Sequence, residues 1–399
     1  MNGPIQATNS QAIRVILISS VLPTNTSAGN VVLHRHLVNR PNIQLQICEN
    51  LQPKWTPVSL LRRIASAIGA TLPRVGQSVL LSADGNWFTP PAYVPSGQPT
   101  VVLTVAHGDL YAPAIRYAEK HDLPLVTFFH DWWPDIANVT ASRQAKIEKQ
   151  FRELYQRSSL ALCVSEGMRE HLGDHPNSHV LLPIPSQTSL PTRSTGKCGN
   201  PIRVAYAGNL SEYGPMLQSL MEASLNFPSI KLEVRGANPD WPTEFQQEMR
   251  RRRMWLPFAA VQEFEAWMSS VDAFLIPQSF DPASARMMET NFPSKLLEMA
   301  QWGKPLVLWG PKSASGLQWN RNGMAVGVTT PDPNVVIQAL LHIQKDSGQY
   351  QTLCEATRQL SHEKLNPNRI QNLFTTLLVN TANENFRSRA PNSNYSETS

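Results

Sequence analysis

The sequence predicts an α/β protein of two domains, each built on a doubly wound parallel sheet. Short apolar runs alternate with helical patterns along most of the chain, and such alternation favours parallel sheets. The Pro-, Ser-, Thr- and Gly-rich stretch from Leu182 to Pro201 interrupts the alternation and predicts a domain boundary. The letters IRV that open the run Ile13–Ser20 return in Ile202–Ala207, and each run leads into a glycine-containing loop.

Length and composition favour a folded protein in a reducing compartment. The 399 residues exceed the ~250–300 at which a single core stops growing. The four cysteines are scattered, which disfavours a metal site or a disulfide framework. No apolar run approaches the ~20 residues needed to span a bilayer, and the start lacks a signal-peptide pattern, so we expect a cytoplasmic protein. The net charge of +5 permits attraction to anionic lipid or phosphorylated ligands without identifying either.

The first half predicts a Rossmann-type opening without a dinucleotide fingerprint. Ile13–Ser20 is a near-continuous apolar run, typical of a buried parallel strand. The loop from Pro23 to Asn30 contains one glycine, Gly29, so G-x-G-x-x-G is absent. Gly29 is either a position where a ligand approaches the backbone or a turn glycine. The further strands and helices predicted in this half are Ile43–Cys48, Val58–Ile68, Thr100–Ala106, Ala112–Glu119, Leu123–Phe129, Arg143–Arg157, Leu160–Ser165 and Val180–Leu182.

In the second half, the stretch from Asn291 to Gly310 predicts a helix, a stop and a buried strand. Pro293 suits the first turn of a helix because its missing N–H is not needed there. Gly303 and the proline two residues later supply the stop. The apolar run Leu306–Trp309 then predicts a short strand. Further strands are predicted at Ile202–Ala207 and Val271–Pro277, and helices at Asp332–Ile343, Tyr350–Leu360 and Arg369–Asn380.

Two charged residues of this helix, Lys295 and Glu298, are three positions apart and share one face. The simpler interpretation is a surface ion pair on an amphipathic helix. The functional interpretation is a nucleotide site, because the start of a helix attracts a diphosphate and a carboxylate accepts both hydroxyls of a ribose. The residues by themselves leave these two interpretations open.

The segment FPSKLLEMAQWGKPLVLW resembles the donor site of GT-B glycosyltransferases, in particular the family-4-like (group 1) retaining enzymes of the Phe-Pro-Ser-Lys subgroup. The resemblance spans nearly all of the sequence outside the two tails. It implies an α/β GT-B fold, with two Rossmann-like doubly wound domains facing a deep cleft. It also implies hexosyl transfer from a nucleoside-diphosphate sugar, UDP- or GDP-linked, with retention of configuration. The acceptor is a glycan, a lipid-linked molecule or a small molecule, as in polysaccharide biosynthesis.

The resemblance assigns roles to residues on both domains. Glu298 binds the ribose, Lys295 and the helix start at Pro293 and Ser294 neutralise the diphosphate, and His130 positions the sugar. We therefore predict His130, Glu298 and Lys295 as catalytic residues. The mechanism that the resemblance implies needs no metal ion and no resident cofactor, because basic side chains and a helix start can stabilise the leaving group.

The loop at Gly208 and Asn209 resembles the opening loop of the family's donor domain but departs from it. Asn209 stands where many relatives have an arginine, and the lysine expected a few residues later is absent. The charge then comes from Lys295, Arg235 or Arg286, or the donor is held differently. A second departure is Thr290, which stands where the family has the first glutamate of its Glu-x7-Glu pair.

Side chains that follow two predicted strands of the first half are candidates for the acceptor side. His107 and His130 come at the carboxyl ends of successive strands, where doubly wound sheets bind ligands. Asp131 either orients His130 or touches the acceptor. Trp132 and Trp133 either stack on a sugar ring or pack in the core, and core packing is the commoner use of such pairs.

Residues 53–73 form a basic amphipathic pattern with a tryptophan, so they either lie on the inner face of the plasma membrane or cover the sheet. Four consecutive arginines at 250–253 come without a nucleic-acid-binding motif, so we predict a solvated helix end and no nucleic-acid partner.

We predict a flexible leader at 1–12, an acceptor domain at 13–190, a linker at 191–200 and a donor-nucleotide domain at 201–365. A terminal helix, 366–380, crosses back to the first domain, and a disordered tail follows at 381–399.

Two other functions fit the same fold. One is a catalytically inactive GT-B scaffold or binding subunit, favoured by the missing basic residues and by Thr290. The other is a sugar-nucleotide epimerase that transfers nothing to an acceptor. Nucleotide binding separates the enzyme from the scaffold, and a product assay separates it from the epimerase.

Overall fold

The computed structural model describes residues 12–26, 28–48, 64–66, 68–81, 88–186, 198–208, 210, 212–237, 239–320 and 323–389. Contacts within the chain divide it into two compact units. The first unit contains the described residues up to Leu181 together with those from Gln371 onward, and the second is Leu182–Ile370. The division thus falls before the predicted linker 191–200, of which residues 191–197 lie outside the described residues.

The first unit is a six-stranded parallel sheet in the order β2-β1-β3-β4-β5-β6. Its central strands are buried along their whole length, which explains their continuous apolar runs. The strands are β1 (Ile13–Leu17), β2 (Ile43–Ile47), β3 (Thr100–Val105), β4 (Leu125–Phe129), β5 (Leu160–Cys163) and β6 (Ser178–Val180). The helices are α1 (Ala28–Leu37), α2 (Pro73–Leu81), α3 (Tyr111–Lys120), α4 (Trp133–Ile136), α5 (Ala141–Arg157) and α6 (Glu166–Leu172).

The second unit repeats this design with the strand order β12-β11-β10-β7-β8-β9, again all parallel. Its strands are β7 (Ile202–Ala207), β8 (Ile230–Arg235), β9 (Trp255–Leu256), β10 (Ala273–Pro277), β11 (Leu306–Trp309) and β12 (Val326–Val328). Its helices are α7 (Gly214–Ser224), α8 (Thr243–Arg251), α9 (Val261–Ser270), α10 (Ala285–Thr290), α11 (Ser294–Ala300), α12 (Pro333–Lys345) and α13 (Ser347–Glu363). This is the order 3-2-1-4-5-6 of the Rossmann fold.

The predicted fold class, two doubly wound parallel α/β domains, is confirmed. Strands β7 and β11 have the bounds that the apolar runs predicted. The strand predicted at Val180–Leu182 lies two residues earlier instead, at Ser178–Val180, where it pairs with β5. The segment between β10 and α11 contains a 3₁₀ turn and the helix α10.

The last helix, α14 (Pro367–Arg389), returns the chain to the first unit from Gln371 onward. The ring centre of Phe374 lies 5.5 Å from the ring centre of Phe128 and 5.0 Å from that of His36. The helix continues past Asn380, so residues 381–389 are helical rather than part of a disordered tail; residues 390–399 lie outside the described residues.

Three further predictions concern surface segments. In 53–73, residues 64–66 and 68–71 are helical, Ile64 and Leu72 are exposed, and residues 53–63 and 67 lie outside the described residues. Membrane contact by this segment therefore stays a prediction, as does the 1–12 leader, of which only residue 12 is described. Helix α8 ends within the arginine run, and Glu248 binds both Arg251 and Arg252. No described helix combines the length and apolarity needed to cross a membrane.

Candidate functional site

Strand order places the candidate site of the second unit at the carboxyl ends of β7 and β10. These two strands are neighbours in the sheet, and the chain winds in opposite directions on either side of them. Ligands of open α/β sheets bind outside the strand ends at this switch point. Gly208 follows β7, Gln278 follows β10, and Gly310 follows β11. The predicted donor residues of α11 lie beside the first of these loops.

Gly208 is packed directly against Lys295. A Cβ atom at residue 208 would come within 2.6 Å of the Lys295 Cε atom and 2.8 Å of the Tyr206 hydroxyl oxygen. A Cβ at Gly236, the residue after β8, would in turn collide with the Gly208 carbonyl oxygen. A side chain at residue 208 would require Lys295 or Tyr206 to move, so glycine allows the lysine stem to lie against this loop. The structure thus joins two residues that the sequence placed 87 positions apart.

Lys295 is a half-buried lysine whose ammonium group has no hydrogen bond or ion pair within the described part of the chain. Burial lowers the pKa of Lys295 from its ordinary value, and the nearby Glu298 carboxylate raises it in part. Helix α11 explains the burial, because Leu296 and Leu297 anchor it in the core while the lysine lies beside them. A cation left without a partner at a strand-end loop is suited to receive an anionic ligand.

Glu298 is also half-buried and is held by Ser186 of the same unit. The backbone N–H of Ser186 donates to both carboxylate oxygens, at 3.1 Å to Oε1 and 3.0 Å to Oε2. The Ser186 hydroxyl donates a further short hydrogen bond to Oε2. Glu298 therefore lies neither buried in apolar packing nor loose in solvent, and it binds paired donors in this structure.

The two other cations proposed for the diphosphate differ from Lys295. Arg235 is 7 % exposed and donates to the Pro257 carbonyl at 2.8 Å and to Glu263 at 3.1 Å. Its guanidinium also lies 4.8 Å from the Trp267 ring centre. These contacts tie Arg235 into the packing of its own unit, so its predicted role in donor binding is not supported. Arg286 is half-buried on α10, where its carbonyl accepts from Thr290.

The remaining predicted donor residues lie around the start of α11. Pro293 precedes the helix, and a Cβ at Gly316 would come within 3.0 Å of its Cγ atom. Ser294 is exposed as the first helical residue. Thr290 is fully buried and donates its hydroxyl hydrogen bond to Arg286 in its own helix, so no acidic group takes the first place of the family's glutamate pair. Asn209 lies outside the described residues.

In the first unit, the ends of β3 and β4 bring His107 and Trp133 together. Their ring centres are 3.9 Å apart with an angle of 38° between the planes. Gly108 adopts a φ of +76°, and a Cβ there would collide with Ser20, which follows β1. The Trp133 ring is 7 % exposed, and its Nε1 atom is buried with no hydrogen-bond partner in the described part of the chain.

His130 is the second histidine of this edge, and its environment keeps it neutral. Burial lowers its pKa to about 4, and the nearby His107 contributes to the same shift. Its Nε2 atom is buried and has no partner among the described residues. Burial lowers the pKa of His107 and raises that of Asp131. No hydrogen bond between Asp131 and His130 occurs here, so the proposed orienting role for Asp131 is not supported.

Two sequence interpretations need correction. Trp132 is fully buried, its indole N–H donates to Glu148 at 3.0 Å, and Arg152 lies over its ring, so it packs in the core and cannot stack on a sugar. Gly29 belongs to the first turn of α1, and a Cβ there would meet only Val21 at an ordinary 3.8 Å. The turn-glycine interpretation is therefore wrong, while close approach by a ligand stays a prediction.

The sequence analysis missed two residues of the second unit that the structure places at the site. Ser186 had no motif to mark it, because it lies in the Pro-, Ser-, Thr- and Gly-rich stretch interpreted as a domain boundary. Gln278 is 3 % exposed, and its Oε1 atom has no partner in the described regions and lies where a Cβ of Gly316 would stand. A polar residue directly after a buried strand was the available signal for Gln278.

Comparison with known proteins agrees with this architecture. Residues 57–180, within the first unit, match the family model described as Glycosyltransferase Family 4. The chain resembles the solved structure of HepE from Anabaena with UDP at 12 % identity and a TM-score of 0.56, over 93 % of this chain and 100 % of HepE. The fold is GT-B.

Other GT-B structures give the same result. Sucrose-phosphate synthase from Thermosynechococcus elongatus is 13 % identical with a TM-score of 0.51, covering 95 % of this chain and 99 % of that one. TarM is 9 % identical with a TM-score of 0.52, covering 76 % of this chain, which spans only 58 % of the length of TarM. No curated protein matches the sequence. Likeness at these identities establishes the GT-B fold, and the chemistry must be argued from the site.

Proposed function

We propose that this protein is a glycosyltransferase that moves a sugar from a nucleoside-diphosphate donor to a hydroxyl-bearing acceptor, with retention of configuration. The match of residues 57–180 and the GT-B fold support a sugar-transferase role in general terms. The observation that carries the proposal is the presence, on one face of α11, of a half-buried cation that has no hydrogen bond or ion pair to any described residue and of a carboxylate that accepts from Ser186.

The second unit holds the donor in this scheme. Glu298 accepts the ribose hydroxyls, and Lys295 meets the diphosphate, where negative charge develops as the glycosidic bond to the leaving group breaks. Helix α11 has only seven residues, so we assign the charge to the lysine rather than to the helix start. The donor is a UDP- or GDP-sugar; HepE, which shares the fold, has been solved with UDP and with UDP-glucose.

The first unit supplies the sugar- and acceptor-facing groups. His130 is neutral at pH 7, so it can accept or donate one hydrogen bond to a sugar hydroxyl without adding charge. His107 and Trp133, whose tilted rings are in contact, and the nearby Asp131 line the acceptor side. Retention then follows by attack on the face that the diphosphate leaves, with a donor phosphate oxygen taking the acceptor proton. The acceptor is a glycan, a lipid-linked molecule or a small molecule.

A panel of UDP, GDP and ADP in a thermal-shift assay tests donor binding. At a concentration of about one hundred times Kd, a bound nucleotide stabilises the protein by ~2.7 kcal/mol. We expect one nucleotide to raise the melting temperature and Glu298→Ala to abolish the rise. The matched control is Glu263→Ala, which removes a carboxylate of the same unit that pairs with Arg235 and should leave the nucleotide shift intact.

One observation favours the inactive-scaffold alternative: Thr290 is buried and satisfied in its own helix. A scaffold would bind no nucleotide. If no nucleotide of the panel raises the melting temperature, the enzymatic proposal is therefore contradicted. If a nucleotide binds, its sugar conjugates are tested for transfer and for epimerisation by product analysis. His130→Ala should then lower turnover while the nucleotide still binds.

A further inference from the structure

Ser186 places two hydrogen-bond donors on the carboxylate of Glu298. The backbone nitrogen lies 3.1 Å from Oε1 and 3.0 Å from Oε2, so it sits between the two oxygens. The side-chain hydroxyl donates to Oε2 on the same side. One residue thus fills the fork of the carboxylate with two adjacent donors.

This arrangement resembles the way a vicinal diol binds a carboxylate. A ribose presents two neighbouring hydroxyls, each of which donates to one carboxylate oxygen. Ser186 presents an N–H and an O–H with the same polarity and converging on the same acceptor. Because its nitrogen is nearly equidistant from Oε1 and Oε2, Ser186 occupies the position from which a diol would bridge both oxygens on this side of the carboxylate.

The local chain favours release of Ser186. Ile184 is 5 % exposed, whereas Ser186 is exposed. Pro185 lies between Ile184 and Ser186 and has no backbone N–H. The first backbone N–H after Ile184 is therefore that of Ser186. An exposed residue close to a buried one can leave its acceptor without opening the core.

We propose that Ser186 occupies the diol-binding position of Glu298 in the free protein and is displaced when the ribose of the donor binds. The inference rests on the proposed donor role of Glu298 and adds an autoinhibitory contact to it. Ser186 keeps the carboxylate satisfied while the site is empty. The measured Kd for a nucleotide then equals the intrinsic Kd divided by the fraction of molecules in which Ser186 has released Glu298, so the contact weakens the measured affinity.

The test compares UDP with 2′,3′-dideoxy-UDP by calorimetry on the full chain, or the matching pair of guanosine nucleotides if the panel selects GDP. Ser186→Ala removes the hydroxyl, and Ser186→Pro removes both donors. We expect Ser186→Ala to lower the Kd for UDP by about three- to tenfold, and Ser186→Pro by at least as much, because each substitution removes a competing contact to a charged group. The dideoxy nucleotide lacks the diol, so its Kd should not change in either variant.

Three outcomes are distinguishable. Tighter binding of UDP alone supports displacement. Unchanged or weaker binding of UDP in both variants overturns it and shows that Ser186 holds Glu298 in position for the ribose, while leaving the proposed donor site intact. If neither the wild type nor the variants bind any nucleoside diphosphate, the proposed function fails and this inference fails with it.

Discussion

Replacing Lys295 by methionine should weaken nucleotide binding without harming the folded state. The ammonium group is half-buried and lacks a partner in the described part of the chain, and burial lowers its pKa. Because the folded state disfavours the charged form, the charge subtracts from stability at pH 7, below its ordinary pKa. A methionine keeps much of the apolar stem and removes that penalty. We expect the melting temperature of Lys295→Met, measured without nucleotide, to stay equal or rise.

The loss in binding follows from the contact that Lys295 would make with the diphosphate. A charge-assisted contact to a phosphate contributes ~1.5–3 kcal/mol, which corresponds to a rise in Kd of about 10- to 150-fold. Arg235 is held by Glu263 and Pro257, so its guanidinium is not available as a substitute. Calorimetry with UDP or GDP on the wild type and on Lys295→Met measures this ratio.

Lys304 provides the matched control in the same unit. It is 6 % exposed, and its ammonium group donates to the carbonyl of Ser269 at 2.6 Å and to that of Val271. Lys304→Met leaves the carbonyl of buried Val271 without this donor, at a cost of ~1–3 kcal/mol, but should not change the Kd for the nucleotide. If Lys295→Met instead lowers the melting temperature and keeps the affinity, Lys295 is a structural residue and the reasoning is refuted.

Two further predictions concern residues that contact this constellation or lie in the first unit. Gly208→Ala places a Cβ against Lys295 and Tyr206, so nucleotide affinity should fall in calorimetry, and fall much less in the Lys295→Met background; equal losses in both backgrounds would contradict the coupling. For His130, the folded pKa of about 4 lies below the unfolded value of ~6.5, so stability is lost as pH falls from about 6.5 to 4. In urea titrations at pH 7.5 and 4.5, the wild type should therefore lose up to ~3 kcal/mol more than His130→Phe, and equal losses would show that His130 does not carry the effect.

The sheets could be predicted because buried parallel strands leave a simple trace in the sequence. Strand β11 is buried at every position and reads as the uninterrupted run LVLW between a proline and a glycine, so both ends were fixed. Strand β6 is only half-buried along its length, and its pattern SHV is partly polar. The apolar residues of this region come after the strand, so the strand was predicted two residues too late, at Val180–Leu182.

The sites could be predicted only in part, because the sequence shows the type of a side chain but not its partners. Arg235 follows its strand as a phosphate-binding arginine would, and nothing in the sequence shows that Glu263 and Trp267 hold it. Trp132 and Trp133 are adjacent and chemically equal. Both are buried in one core cluster, but Trp132 donates to Glu148 whereas Trp133 lies against His107, and the short helix α4 begins between them.

The ligand chemistry is best indicated by the polar groups that folding leaves unsatisfied. Within the described regions, buried atoms without a partner include His130 Nε2, Trp133 Nε1 and Gln278 Oε1, all in segments that directly follow β4 or β10. Others, such as those of Thr357 and Ser361, lie within α13, so the property is not unique to these edges. Each orphan costs ~1–3 kcal/mol, and a fold retains such a cost most readily where a ligand removes it. In the first unit a sugar fits this requirement well, because every hydroxyl both donates and accepts, so it can satisfy an indole N–H and a neutral imidazole without changing the charge of either.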